Sequence, residues 1–168
     1  MLATSLRATA EGFMKSIVIA SQTKNMRDLS AFCTDDCVRY IGPPAFLERV
    51  GVPADFRMNN REWEEQFGTM EFYILDDCNI SHVVVDTDNL KVAARGELVG
   101  AFLDGKRISR TNVWFMEFTA DGKKVTRVHQ HTDYEESQSF RMTVAAYKKA
   151  KNEDAKIKQE MDEDSKSS

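Results

Sequence analysis

Three histidines, His82, His129 and His131, are the residues best suited to moving a proton at neutral pH, because imidazole is the side chain that titrates there. His129, His131 and Asp133 alternate at strand spacing and so share one face, a row that could also hold a metal. No further ligand follows at a recognisable spacing, so we expect no metal and no other cofactor. Cys33, Cys37 and Cys78 make an odd count without a CxxC pair and read as reduced thiols. The chain carries no phosphate-cradling glycine loop and no nucleophile elbow. Several enzyme classes therefore leave the list.

The elements that must position these groups follow from hydrophobic period. Leu6, Ala10, Phe13, Ile17 and Ala20 form one stripe on a helix over residues 4–23, and a short second helix starts near Asn25 with Leu29 and Phe32 inward. Residues 36–41 read as a strand stopped by Gly42-Pro43-Pro44. Residues 45–58 have no period but hold Phe46, Leu47, Val50, Phe56 and Met58, an apolar loop with the character of a lid. Asn59 or Asn60, with Glu62, can cap a third helix whose inner stripe is Trp63, Phe67, Met70 and Ile74. Beyond Asp77 the period becomes two, and four strands separated by short turns imply an antiparallel meander. Gly96 and Gly100 lie on the apolar face of one of them, where they let a sheet bend or leave room for a ligand.

Composition bounds the rest. The 168 residues are 42% hydrophobic and fit one domain, placed at residues 1–147. The last 21, from Lys148, hold six lysines and six acids with almost no apolar side chain, and read as a disordered tail over 148–168. With 23 Lys plus Arg against 27 Asp plus Glu, the net charge of −4 and the lack of a basic run argue against nucleic acid. No segment is long enough to span a membrane. Lys15 interrupts the apolar run from Phe13 to Ala20 and no cleavage site follows, so a cytoplasmic protein is expected.

The last hairpin decides which polar row faces inward. A three-residue Ala120-Asp121-Gly122 loop pairs Asn112 with Gln130 and Trp114 with Val128 on one face, leaving His129, His131 and Asp133 on the other. A two-residue Asp121-Gly122 turn instead pairs Asn112 with His131 and Arg110 with Asp133. The first register is preferred.

Helices first and an antiparallel meander last is an α+β order. It resembles the nuclear-transport-factor-like, or SnoaL-like, fold, a curved antiparallel β-sheet cone closed by three helices around a pocket. The likeness is carried by Leu6-Arg-Ala-Thr-Ala-Glu-Gly-Phe13, Asp35-Asp-Cys-Val-Arg-Tyr40, Asn112-Val-Trp-Phe-Met-Glu-Phe118 and Asp121-Gly-Lys-Lys-Val-Thr-Arg-Val128 with Asp133. That superfamily includes ketosteroid isomerase, scytalone dehydratase, polyketide cyclases and fungal isomerases of polyketide and meroterpenoid pathways, and the chain looks most like the fungal group. The resemblance implies an isomerase, dehydratase or cyclase working by cofactor-free acid–base chemistry on a small, apolar, oxygenated substrate, and a homodimer. It implies His82 as the base, with Tyr40, Asn112 and Gln130 holding a developing enolate oxygen and Trp114 walling the pocket. Gln130 stands where SnoaL-like cyclases carry an acid; an amide holds a carbonyl but takes no proton, which argues against aldol cyclisation there. A non-catalytic ligand carrier or dimerisation module is the alternative, and protein binding through the outer sheet face a third.

Overall fold

The computed structural model describes residues 1–68 and 70–166. Helix α1, Leu2–Thr23, buries Leu6, Ala10, Phe13, Met14 and Val18 along the stripe its spacing demands, and ends where Lys24 turns left-handed at φ 60°. A 3₁₀ turn, Met26–Ser30, is capped by the Asn25 side chain, which accepts from the Arg27 N–H. Strand β1, Cys33–Gly42, leads through Pro43 into a short helix α2, Pro44–Arg49, and a two-residue strand β2, Arg57–Met58. Thus the apolar 45–58 stretch is partly ordered and folds back on β1, with Arg39 opposite Met58.

Helix α3, Asn60–Gln66, opens on a capping box: the Asn59 side chain accepts from the Glu62 N–H at 2.9 Å and Glu62 accepts from the Asn59 N–H at 2.8 Å. It is shorter than its apolar stripe predicts. The chain leaves the helix at Phe67-Gly68, re-forms a 3₁₀ turn at Met70–Phe72 and enters β3, Tyr73–Asp86, so Ile74 is 41% exposed on a strand rather than inward on a helix. A glycine inside a helical pattern costs about 1 kcal/mol against alanine, enough to end a marginal helix of two turns.

The meander follows with β4, Lys91–Phe102, β5, Arg107–Phe118, and β6, Val125–Thr132. The six strands form one curved sheet in the order β2-β1-β6-β5-β4-β3, whose outer strands do not pair to close a barrel. The pure antiparallel sheet expected from the sequence is corrected to a mixed one, because β1 runs parallel to β6. Strand β1 ends at Gly42 and β6 begins only at Val125, so everything between them serves as the long crossover that a parallel neighbour requires and a hairpin cannot supply.

Finally α4 runs from Tyr134 to Lys166. Asp133, offered above as a site residue, accepts from the Glu136 N–H at 2.9 Å and caps this helix. Over 148–166, where a disordered tail is expected from composition, the structure continues α4, while residues 167–168 lie outside the described ones. Composition misses this because local spacing, not average polarity, supports it: Lys149 and Glu153 stand one turn apart with their charges 4.0 Å from each other, and Lys151 reaches Glu71 at 2.6 Å. Every side chain from Lys148 to Met161 is exposed, so this part adds little core. No described helix is long and apolar enough to cross a membrane.

One buried cation fixes the floor of the molecule. Arg39 is 3% exposed, its guanidinium stacked between the Phe13 and Trp63 rings at 5.1 and 5.2 Å, with Nη2 donating to the Leu29 carbonyl at 2.9 Å and to the Cys33 sulfur at 3.2 Å. It ties α1, β1 and α3 together.

Candidate active site

Between the concave face of the sheet, the α2–α3 segment and the first turns of α4 lies a cavity of about 560 Å³. That is the size of a small organic ligand. Phe46, Leu47, Val50, Phe56 and Met58 from the apolar stretch cover it, Trp63 and Phe67 close one side, and Phe140 and Val144 of α4 close another. The lid reading of residues 45–58 therefore has a cavity beneath it.

Four of the polar groups in this wall come from three strands, and the helices add Gln66, Ser137, Gln138, Arg141 and Lys148. Arg110 and Tyr73 stand at the start of β5 and β3, and Gln130 and Thr132 at the end of β6. The Arg110 guanidinium sits over the Phe140 ring at 4.5 Å. Its Nε is buried without a hydrogen-bond acceptor, and among the described residues it forms no ion pair. Burial lowers its pKa from the ordinary guanidinium value, and yet arginine is the side chain that stays charged under such conditions. Burial also holds the Tyr73 phenol above its usual pKa, opposed in part by the Arg110 charge, so it stays neutral and offers its hydroxyl as a hydrogen-bond donor.

Behind Gln130 runs a short amide chain. Trp114 Nε1 donates to Gln130 Oε1 at 3.0 Å, and Gln130 Nε2 donates to Asn112 Oδ1 at 3.1 Å. Asn112 Nδ2 and Thr132 Oγ1 are buried without partners, directly opposite each other across β5 and β6. Replacing Gln130 by leucine strands the Trp114 and Asn112 partners together, at about 1–3 kcal/mol for each buried group left unpaired. We expect Gln130→Leu to lose about 2–4 kcal/mol in urea unfolding followed by tryptophan emission. A loss below 0.5 kcal/mol would mean the two groups find water instead.

The inward face is the one expected, but by neither register. Asn112 pairs with Thr132, Trp114 with Gln130 and Met116 with Val128, two residues beyond the preferred pairing, and a bulge follows at Glu117/Phe118. The connection is longer than three residues: Thr119 and Lys124 close it, with Asp121 accepting from Thr119 Oγ1 and the Lys123 N–H, and Gly122 at φ 69°. A shift of two keeps every side chain on its face.

Of the residues singled out from sequence, Gln130 lines the cavity, and Asn112 and Trp114 are buried immediately behind it. The other assignments change. His82 is exposed, at φ 52° in a bulge between Ser81 and Val84, where its Nδ1 meets Ser81 Oγ at 3.1 Å. The extra residue breaks the alternation of β3 and carries the imidazole away from the cavity. Tyr40 is the register partner of His129, stacks on it at 4.6 Å with the rings 7° apart, and so faces outward. His131 sits beside Phe115 on that same outer face. Burial against Tyr40 and its neighbours lowers the His129 pKa, with Arg127, His131 and Lys91 acting in the same direction against Glu117. Among the described residues no group of three or more His, Cys, Asp or Glu side chains is placed to hold a metal.

Arg110, Tyr73 and Thr132 were not singled out. Arg110 carried a legible signal: it shares strand parity with Asn112 and Trp114, making it a charge on an otherwise inward face. Tyr73 carried none, because the helix pattern across 59–74 hides the start of β3.

No family model matches the chain, and no curated protein matches its sequence. Solved structures do match in shape. PrhC from Penicillium brasilianum is similar at a TM-score of 0.69 and 22% identity, over 89% of this chain and 93% of that one. BvnE pinacolase from Penicillium brevicompactum is similar at 0.67 and 16%, over 88% and 99%. An NTF2-like protein from Burkholderia pseudomallei is similar at 0.52 and 10%, over 79% and 94%. At such identities the likeness establishes the fold: the curved-sheet α+β fold of the SnoaL-like and NTF2-like proteins.

Proposed function

We propose that this protein is an isomerase or cyclase that rearranges a small polyketide- or terpenoid-like intermediate without a cofactor. The observation that carries the reading is the convergence of Arg110, Tyr73 and Gln130 on one apolar-walled cavity. A charged guanidinium and a neutral phenol, held away from bulk water, stabilise negative charge that develops on a substrate oxygen far better than water does. Gln130 has its Oε1 and one Nε2 hydrogen committed, so its remaining N–H is fixed in direction and orients a carbonyl or hydroxyl.

The described lining residues include no Asp, Glu, His or Cys. Catalysis is thus assigned to oxygen activation by the Arg110 guanidinium and the hydrogen bond of the neutral Tyr73 hydroxyl, rather than to a histidine base. This suits a rearrangement in which the substrate's own atoms supply and take back the proton. The fold shared with a pinacolase supports that choice. The same lack of a base favours one second reading, a carrier that binds such compounds without turning them over.

A melting screen of the full chain against phenolic polyketides, cyclic enones, steroids and terpenoid lactones tests both. A ligand at a hundred times its Kd adds about 2.7 kcal/mol, which moves Tm by roughly 5–10 °C in a chain of this size. We expect one class to shift the melt and to be converted over many turnovers by catalytic amounts of protein. Shift without turnover leaves the carrier, and no shift in any class removes the enzyme reading.

We also place the molecule as a homodimer through the outer sheet face, where Phe115 is 46% exposed beside Tyr40, His129 and His131. Sedimentation at micromolar concentration is expected to give twice the 19.1 kDa chain mass. A monomer there rejects it.

A further inference from the structure

We infer that the cavity takes an organic anion: a largely apolar molecule of drug-like size whose carboxylate seats on Arg110. This rests on the cavity being the binding site proposed above, and it narrows the ligand by charge. The chain as a whole is acidic, at a net charge of −4. The cavity wall has the opposite sign, for its charged residues among those described are Arg110, Arg141 and Lys148, with no Asp or Glu.

The three cations are arranged in depth. Arg110 stands at the inner end, over Phe140, and Arg141 and Lys148 stand exposed on α4 at the rim. The acid whose charge acts on Arg110 is Glu136, on the first turn of α4. One of its oxygens accepts the Thr111 N–H at 2.5 Å, and the carboxylate makes no ion pair with the guanidinium. A charge partly withdrawn from water without an ion-pair partner is unfavourable, and a cation whose buried Nε lacks an acceptor offers the kind of donors that a carboxylate satisfies in pairs. The Thr132 hydroxyl, also unpartnered and on the cavity wall, supplies a further donor. Positive potential at the mouth draws an anion in, and the apolar walls then remove water from it.

Matched pairs of acid and methyl ester test this: 2-naphthoate and biphenyl-4-carboxylate, each against its ester, titrated into the full chain by calorimetry. We expect each acid to bind at least tenfold more tightly than its ester. Arg110→Gln should abolish that ratio and Arg110→Lys retain most of it, with melts of both variants confirming that they fold. Trp63→Ala, at the apolar wall, should weaken acid and ester together. An ester that binds as tightly as its acid overturns the charge inference and leaves the cavity reading standing. A preference that survives Arg110→Gln, or acid binding that ignores Trp63→Ala, overturns it by placing the anion elsewhere. Failure of every acid and ester to bind overturns both.

Discussion

Arg110→Leu lowers turnover by about 100–1000-fold while leaving the folded protein at least as stable as the parent. The two halves of this result have one cause. Arg110 is a cation held in the wall of an apolar cavity with no ion-pair partner among the described residues. Holding it there costs several kcal/mol of desolvation that nothing on the protein side fully offsets. Leucine removes that cost and adds apolar contact with Phe140. What is lost is the stacking of the guanidinium on that ring, about 0.5–2 kcal/mol. The balance is neutral or favourable to the fold, so the urea midpoint holds or rises.

Turnover responds in the opposite sense. Removing one donor aimed at developing negative charge lowers kcat by about 100–1000-fold in comparable sites. Arg110→Lys keeps the charge but not the planar fork, and we expect it to recover part of the rate. Stability and rate therefore separate, which a merely structural arginine would not allow. Steady-state kinetics on a converted substrate, with urea melts of the same variants, check both. An Arg110→Leu protein that unfolds, or one that keeps its rate, would sink the assignment. A group kept at the expense of stability is what functional sites contain.

Much of the scaffold was legible because it is written in period. The α1 stripe, the capping box at Asn59 and the apolar face of β4 each follow from spacing that only one backbone geometry satisfies. The faces of Asn112, Trp114 and Gln130 followed from parity in the same way, and they survived a register error because the error was even. What failed was everything that interrupts parity. A bulge in β3 turned His82 outward, and one in β1, between Cys33 and Val38, set Tyr40 opposite His129 on the outer face. Bulges add one residue without a strong sequence mark, so a position carried over by resemblance, as His82 and Tyr40 were, keeps its face only where no bulge intervenes. The parallel pairing of β1 with β6 was hidden for another reason: it joins residues about ninety apart, and no local pattern records such a partner.

Gly100→Ala is expected to be the most damaging small substitution in the molecule, at more than about 3 kcal/mol, beyond the usual range for added bulk. A Cβ at Gly100 would lie 2.3 Å from the Ile74 carbonyl oxygen and 2.7 Å from the Leu75 Cα. Both are backbone atoms of the neighbouring strand, so no rotamer change relieves the clash. Gly96, on the same face of β4, gives the internal comparison. A Cβ there meets the Trp114 ring at 2.8 Å and the Cys78 sulfur at 2.9 Å, which are side chains and can move. We expect Gly96→Ala to cost about 1–2 kcal/mol, chiefly by tilting Trp114. The glycines thus leave no space for a ligand; Gly96 admits Trp114 and Gly100 admits the β3 backbone. The close approach at Gly100 falls where the β3 register slips, between Leu75 and Asp77, two residues from the pairing of Tyr73 with Phe102. Pushing β3 off β4 there moves the Tyr73 phenol relative to Arg110, so whatever Gly100→Ala protein folds should bind cavity ligands more weakly, whereas Gly96→Ala should act mainly through the Gln130 amide chain. Urea unfolding of the two variants, side by side, decides it. A Gly100→Ala loss equal to or smaller than that of Gly96→Ala would mean that the sheet yields at this point, and that its curvature is not set by the contact between β3 and β4.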